Sequence, residues 1–157
     1  MFDLFLAYKC MKLLLITLLS LFVATTANWQ LNFEQAQKEA SQSHKLILLN
    51  FSGSDWCGPC IKLKKDVFGS DVFQEFANEH LILVRADFPR LSKNQLDAKQ
   101  TAHNEALAEK YNRQGKFPLT VLLDANGNVL KEWDGYPQSL TPSSFVESIQ
   151  ALKASAK

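Results

Sequence analysis

The sequence has little cysteine, glycine, proline or net charge: of 157 residues three are Cys, six Gly and five Pro, and the formal net charge is +1. A balance so close to neutral gives no sign of the basic surface that nucleic-acid or anionic-membrane binding favours. No Gly-rich phosphate loop, Ser-His-Asp set or paired-carboxylate motif is present. The histidines, His44, His80 and His103, are far apart and at no metal-ligand spacing, so each reads as a solvated or capping residue. No internal repeat, low-complexity stretch or linker interrupts the chain. With 46% hydrophobic and 21% charged residues, it is sized and composed for one compact domain.

The N-terminal apolar run, Leu13 to Val23, is too short to span a bilayer comfortably. It follows Met11-Lys12 and precedes Ala24-Thr-Thr-Ala27, the layout of a secretory signal cut after Ala27. An uncleaved membrane anchor is the alternative. Residues 1–10 lack the basic flank that should open a signal, which makes Met11 a candidate start. Bulky and charged residues before Cys10 (Leu6-Ala-Tyr-Lys9) argue against a lipoprotein signal. The expected organisation is therefore a signal peptide over 1–27 and an exported, periplasmic domain over 28–157. Setting aside Asp3, Lys9 and Lys12 from the 16 acidic and 17 basic residues leaves 15 of each. Cys57 and Cys60 remain as the only thiols.

Within that domain, Asn32-Phe-Glu-Gln35 has the form of a capping box opening a helix over about 33–43. The nearly continuous apolar run from Lys45 to Phe51 predicts a strand buried on both faces. A helix opening at the dithiol offers Ile61, Leu63, Val67 and Phe68 for burial, with Lys62, Lys64 and Lys65 toward water. Gly69-Ser70-Asp71 interrupts it, and Ser70 caps a second stretch through about Asn78 that offers Val72, Phe73 and Phe76. Leu81 to Val84 predicts another buried strand, closing at Asp87-Phe88-Pro89. Apolar spacing predicts a helix over 103–112. Residues 119–123 and 129–133 flank Asp124-Ala-Asn-Gly-Asn128 as a hairpin, and Thr141-Pro142 opens a last helix through about Leu152.

The remaining feature is Trp56-Cys57-Gly58-Pro59-Cys60, directly after the first strand. A Cys at a helix start faces unpaired N–H groups and the positive end of the macrodipole, both of which favour thiolate. Cys57 is therefore the expected nucleophile. Cys60, three residues on and on the same face, is placed to resolve a mixed disulfide formed at Cys57. Pro59 fits a first helical turn, where its missing N–H costs no hydrogen bond. A structural staple is the competing reading, but so short a loop restrains little of the unfolded chain. Trp56 is open to two readings, shaping a substrate surface or packing against the loop.

The α, β, α, β, α, β, β, α order, the Trp-Cys-Gly-Pro-Cys segment after a buried strand and a proline at the start of the third strand together resemble the thioredoxin superfamily. The resemblance covers about Asn32 to Leu152. Gly53-Ser-Asp-Trp56 and the Lys/Leu-rich turn after Cys60 resemble the exported thioredoxin-like proteins of bacteria. It implies an α/β thioredoxin fold, a central mixed sheet flanked by helices on both faces. It also implies that Pro118 is a cis-proline facing the dithiol and that Phe117 pairs with an extended substrate; from the residues alone Pro118 is a strand-opening proline.

Trp56, Gly58, Pro59, Phe117 and Pro118 are the expected substrate contacts, and Cys57 and Cys60 the catalytic pair. One departure stands out: Asn50 occupies the position where cytosolic relatives carry a buried acid, leaving water, Asp55 or Asp87 to handle protons. The expected activity is thiol–disulfide exchange on protein disulfides, as a reductase or isomerase more than an oxidase. It needs no cofactor or metal beyond the dithiol itself, acts as a monomer and draws electrons from a transmembrane donor. The alternative is a non-enzymatic chaperone or a copper or zinc carrier using the thiols as soft ligands.

Overall fold

A computed structural model of the protein describes residues 27–155. The expected signal segment, with Cys10 and Met11, lies outside them except for Ala27. Among the described residues no helix is long and apolar enough to cross a membrane.

Five strands form one mixed sheet: β1 (Trp29–Gln30), β2 (Leu46–Ser52), β3 (Leu81–Asp87), β4 (Leu119–Leu123) and β5 (Val129–Asp134), in the order β1-β3-β2-β4-β5. β3 runs parallel to both β1 and β2, whereas β4 is antiparallel to β2 and β5. The helices are α1 (Phe33–Ser43), α2 (Gly58–Leu63) with a π-helical turn (Lys64–Phe68), α3 (Asp71–His80), α4 (Ala98–Tyr111) and α5 (Pro142–Ser155).

Side chains alternate across β2, and that alternation divides the core. Ile47, Leu49 and Phe51 pack with α1 and α4 through Phe33, Ala36, Leu107 and Tyr111. Leu48 points the other way, into Leu63, Val67, Phe73 and Phe145 of α2, the π-turn, α3 and α5. Burial on both faces is why β2 has no polar alternation in its apolar run.

The differences from expectation have local causes. β1 has no counterpart in the sequence pattern, because two residues carry no period. α4 begins five residues before the expected Ala102-His103 boundary: the Asp97 side chain caps it by accepting from Gln100 N at 2.7 Å, and Gln100 Nε2 donates to the Leu31 carbonyl and to Asn104. Polar anchoring there replaces the apolar stripe that marks a helix in sequence. Ile61 and Val72, expected to be buried, are 48% and 47% exposed. The buried stripes run instead through Cys60, Leu63 and Val67, and through Phe73, Phe76 and Ala77, at helical spacing that turns Ile61 and Val72 outward. Ser70 does cap α3, accepting from Phe73 N. Only half of the capping box at α1 is made. Asn32 Oδ1 accepts from Gln35 N at 2.8 Å, but the Gln35 amide donates to Glu39, and Phe33 N donates to His103 Nε2 at 3.2 Å.

Candidate active site

β2 ends at Ser52, and the chain must turn at once into α2. Gly53 makes that turn: its carbonyl accepts from the N–H groups of Trp56 (3.3 Å) and Cys57 (2.9 Å). Cys57 is the N-cap of α2, with extended backbone, and its Sγ accepts from Cys60 N at 3.3 Å. One of the helix's unpaired donors is thus aimed at the sulfur, where negative charge on a thiolate is stabilised. The two cysteines form a disulfide, Cα atoms 5.2 Å apart. Cys57 is 4% and Cys60 3% exposed, while Gly58 and Pro59 between them are exposed.

Two carboxylates bind the surrounding loops together. Asp87, ending β3, accepts from the N–H and hydroxyl of Ser54. Asp55 Oδ1 accepts from Arg90 N at 2.9 Å, and its Oδ2 accepts from Leu91 N at 3.0 Å and Asn94 Nδ2 at 2.9 Å. Hydrogen bonds that favour the charged form, the Arg90 N–H first, hold Asp55 below the usual carboxylate range against the opposing effect of desolvation. Both candidate proton acceptors thus act as clamps between loops.

The packing of Trp56 is explicit. Its Nε1 donates to the Phe88 carbonyl at 2.7 Å, its ring meets Phe117 edge-on at 5.4 Å, and the Arg90 guanidinium lies 3.7 Å from its centre. Phe117 also packs edge-on against Phe88. Trp56 and Phe117 are therefore brought into contact from positions 61 residues apart. The Phe117–Pro118 peptide bond is cis. Pro118 is buried, and its carbonyl accepts from Gly135 N at 2.8 Å. Asn112 pins the preceding loop by bonds in both directions to the Lys116 backbone.

Asn50 is 4% exposed and on the Leu48 face of β2. Its amide donates to Thr120 Oγ1 at 3.0 Å and to the Leu119 carbonyl at 3.4 Å, tying β2 to the residues just after Pro118. A carboxylate at this position would have no proton to donate to either acceptor.

The histidines lie elsewhere. His44 adopts a left-handed conformation at the end of α1, His103 caps the start of α1, and His80 Nδ1 lies 2.9 Å from Lys153 Nζ. Among the described residues no group of three or more His, Cys, Asp or Glu is arranged to hold a metal. Sequence reasoning missed Phe88, Arg90 and Asn94. They lie between β3 and α4, Asn94 at the end of a 3-10 turn (Ser92–Asn94), in a stretch with no apolar periodicity, and only the pairing of β3 with β2 carries them to the dithiol.

A dithiol at a helix start beside a parallel strand pair, with a cis X-Pro bond opening the next strand, defines a thioredoxin-like domain. The family model described as "Thioredoxin-like domain" matches residues 33–149, and the chain belongs to that family. It is 38% identical over 107 residues to the "Disulfide bond reductase DsbH" of Chlamydia pneumoniae, covering 68% of this chain and 62% of that protein. It is 28% identical over 95 residues to the "Thioredoxin-related protein DsbJ" of the same organism, covering 60% of this chain and 26% of that one. The chain thus spans less than two thirds of either relative. A solved structure titled "DsbH Oxidoreductase" superposes with a TM-score of 0.73 at 32% identity, covering 85% of this chain and 88% of its own.

Proposed function

We propose that the protein is an exported thiol–disulfide oxidoreductase that reduces or isomerises disulfides in protein substrates. The observation that carries this reading is the Cys57–Cys60 pair at the N-terminus of α2, with a backbone N–H directed at Cys57 Sγ. The Gly-Pro centre and the relative named as a disulfide bond reductase support the reducing direction. In the reduced protein, Cys57 thiolate attacks one sulfur of a substrate disulfide and expels the other as a thiolate. Cys60 thiolate then attacks Cys57 Sγ, releasing the second substrate thiolate and closing the Cys57–Cys60 disulfide. Two electrons pass to the substrate, whose thiolates take protons from solvent.

Trp56, Gly58, Pro59, Phe117 and Pro118 receive the substrate, whose backbone aligns along Phe117 in the manner of strand addition. No cofactor enters, because the redox group is the dithiol itself. A transmembrane donor regenerates the dithiol, and the mature protein acts in the periplasm as a monomer after cleavage near Ala27. Insulin reduction is the direct test. C57A is expected to abolish turnover, and C60A to accumulate mixed disulfides with substrate; turnover that survives in C57A sinks the proposal. Equilibration with glutathione measures the direction, since dithiol potentials in this fold range over about 150 mV, roughly 7 kcal/mol for two electrons.

A further inference from the structure

From the way the β3–α4 loop is fastened against the dithiol loop, we infer that Arg90 and Leu91 form a docking shelf for substrate segments that carry acidic residues next to their cysteine. The inference rests on Cys57 and Cys60 being an exchange pair and concerns which substrates reach them.

The shelf is built in place. Asp55, two residues before Cys57, accepts the N–H groups of Arg90 and Leu91 and the Asn94 amide, at 2.9 to 3.0 Å. Gln95 Nε2 donates to the carbonyls of Pro89 and Arg90, closing the loop on itself. The Arg90 guanidinium is stacked 3.7 Å from the centre of Trp56, the residue beside the nucleophile. A loop fixed this way loses little further freedom when a partner docks, which lowers the entropic cost of binding.

The exposed side chains of the shelf are apolar and cationic. Leu91 is 48% exposed, as is Ile61 on α2, so apolar surface faces solvent both in the loop and on the dithiol helix. Arg90, Lys93 and Lys62 are exposed, and among the described residues none of them forms an ion pair. Asp55 turns both carboxylate oxygens to three donors of the loop backbone and Asn94, and it makes no ion pair with the Arg90 guanidinium. An extended segment with an apolar side chain and a Glu or Asp beside its cysteine is complementary to that surface. A segment with Lys or Arg there would be repelled.

The test uses the full chain carrying C10S and C60S, so that Cys57 is the reacting thiol, and two peptides with one cysteine each, identical except for Glu or Lys on either side of it. Each cysteine is activated as a mixed disulfide with thionitrobenzoate. Cys57 thiolate attacks the peptide sulfur, the Cys57–peptide disulfide forms and coloured thionitrobenzoate leaves. The Glu peptide is expected to react about tenfold faster than the Lys peptide at low salt, with the ratio shrinking at high salt. R90S should cut the ratio to about threefold, whereas R90K, which keeps the charge, should retain most of it. Equal rates for the two peptides, or a ratio unchanged in R90S, overturn the inference while leaving the exchange reading intact. Absence of Cys57-dependent release with either peptide overturns the exchange reading, and the docking inference with it.

Discussion

Gly53 lies beneath the indole of Trp56 so closely that a methyl group on its Cα would fall 2.3 to 2.6 Å from three ring atoms. The turn out of β2 and the position of the aromatic beside Cys57 are thus one structural decision. In G53A the indole must shift away from the new methyl group, straining its hydrogen bond to the Phe88 carbonyl. The expected result is a stability loss of about 1–3 kcal/mol, with a red shift of tryptophan emission as the ring is displaced. An unshifted spectrum and unchanged stability would contradict this account.

Asp55 gives the neighbouring loop a pH dependence of definite sign. Its carboxyl is held below its ordinary value of 3.8, first by the Arg90 N–H. The charged form is therefore the bound form, and its stabilisation is present above 3.8 and lost as pH falls through the lower folded value. D55N keeps only one acceptor oxygen for three donors. Amide exchange at Arg90 and Leu91 should run several-fold faster in D55N near neutral pH. In the wild type, protection of the same amides should be lost on acidification.

The Asn50–Thr120 bond lies inside the sheet, where both side chains are nearly inaccessible at 4% and 1%. N50L leaves the Thr120 hydroxyl without its donor, at a cost of about 1–3 kcal/mol. Adding T120V removes the stranded hydroxyl as well and should recover part of that loss. A double-mutant cycle in urea measures the coupling; strict additivity would mean that the bond has no energetic role.

His80 titrates in the opposite chemical sense to Asp55 but with the same pH trend. Burial first, and then the Lys153 charge, push it below its ordinary value of 6.5, so it is neutral in the fold. The unfolded chain binds that proton more readily, and stability falls as pH drops from 6.5 toward the folded value. Melting temperatures between pH 7.5 and 5 should decline more steeply in the wild type than in H80Q.

Phe145 on α5 is 1% exposed and packs against the rings of Trp133, Phe68 and Phe73, at 4.7, 6.0 and 6.0 Å. It joins β5, the π-turn and α3 in one aromatic cluster under the dithiol helix. F145A should cost about 3–5 kcal/mol in denaturant unfolding. A loss under 1 kcal/mol would show that the cluster closes over the cavity.

Much of the fold is legible because burial imposes a period on the chain. Leu46 to Phe51 and Leu81 to Val84 read as strands because both faces of the central sheet are covered. Gly127, at φ 85°, marks the hairpin turn because few other residues adopt that backbone. The start of α4 was illegible for the opposite reason: Asp97 and Gln100 hold it by polar bonds, which leave no apolar stripe. The outward turn of Ile61 follows from the direction in which α2 leaves the sheet.

The order of elements, the near-neutral charge and the paired thiols one helical turn apart are properties of the sequence by itself, since each depends on composition or local spacing. Only the tertiary structure decided that Asp55 clamps a loop, that Arg90 stacks on Trp56 and that Trp56 meets Phe117. Those contacts join residues more than thirty positions apart. Hydrogen bonds between a side chain and a distant loop have no sequence period, and they exist only once the strand pairing brings the two loops to the same end of the sheet.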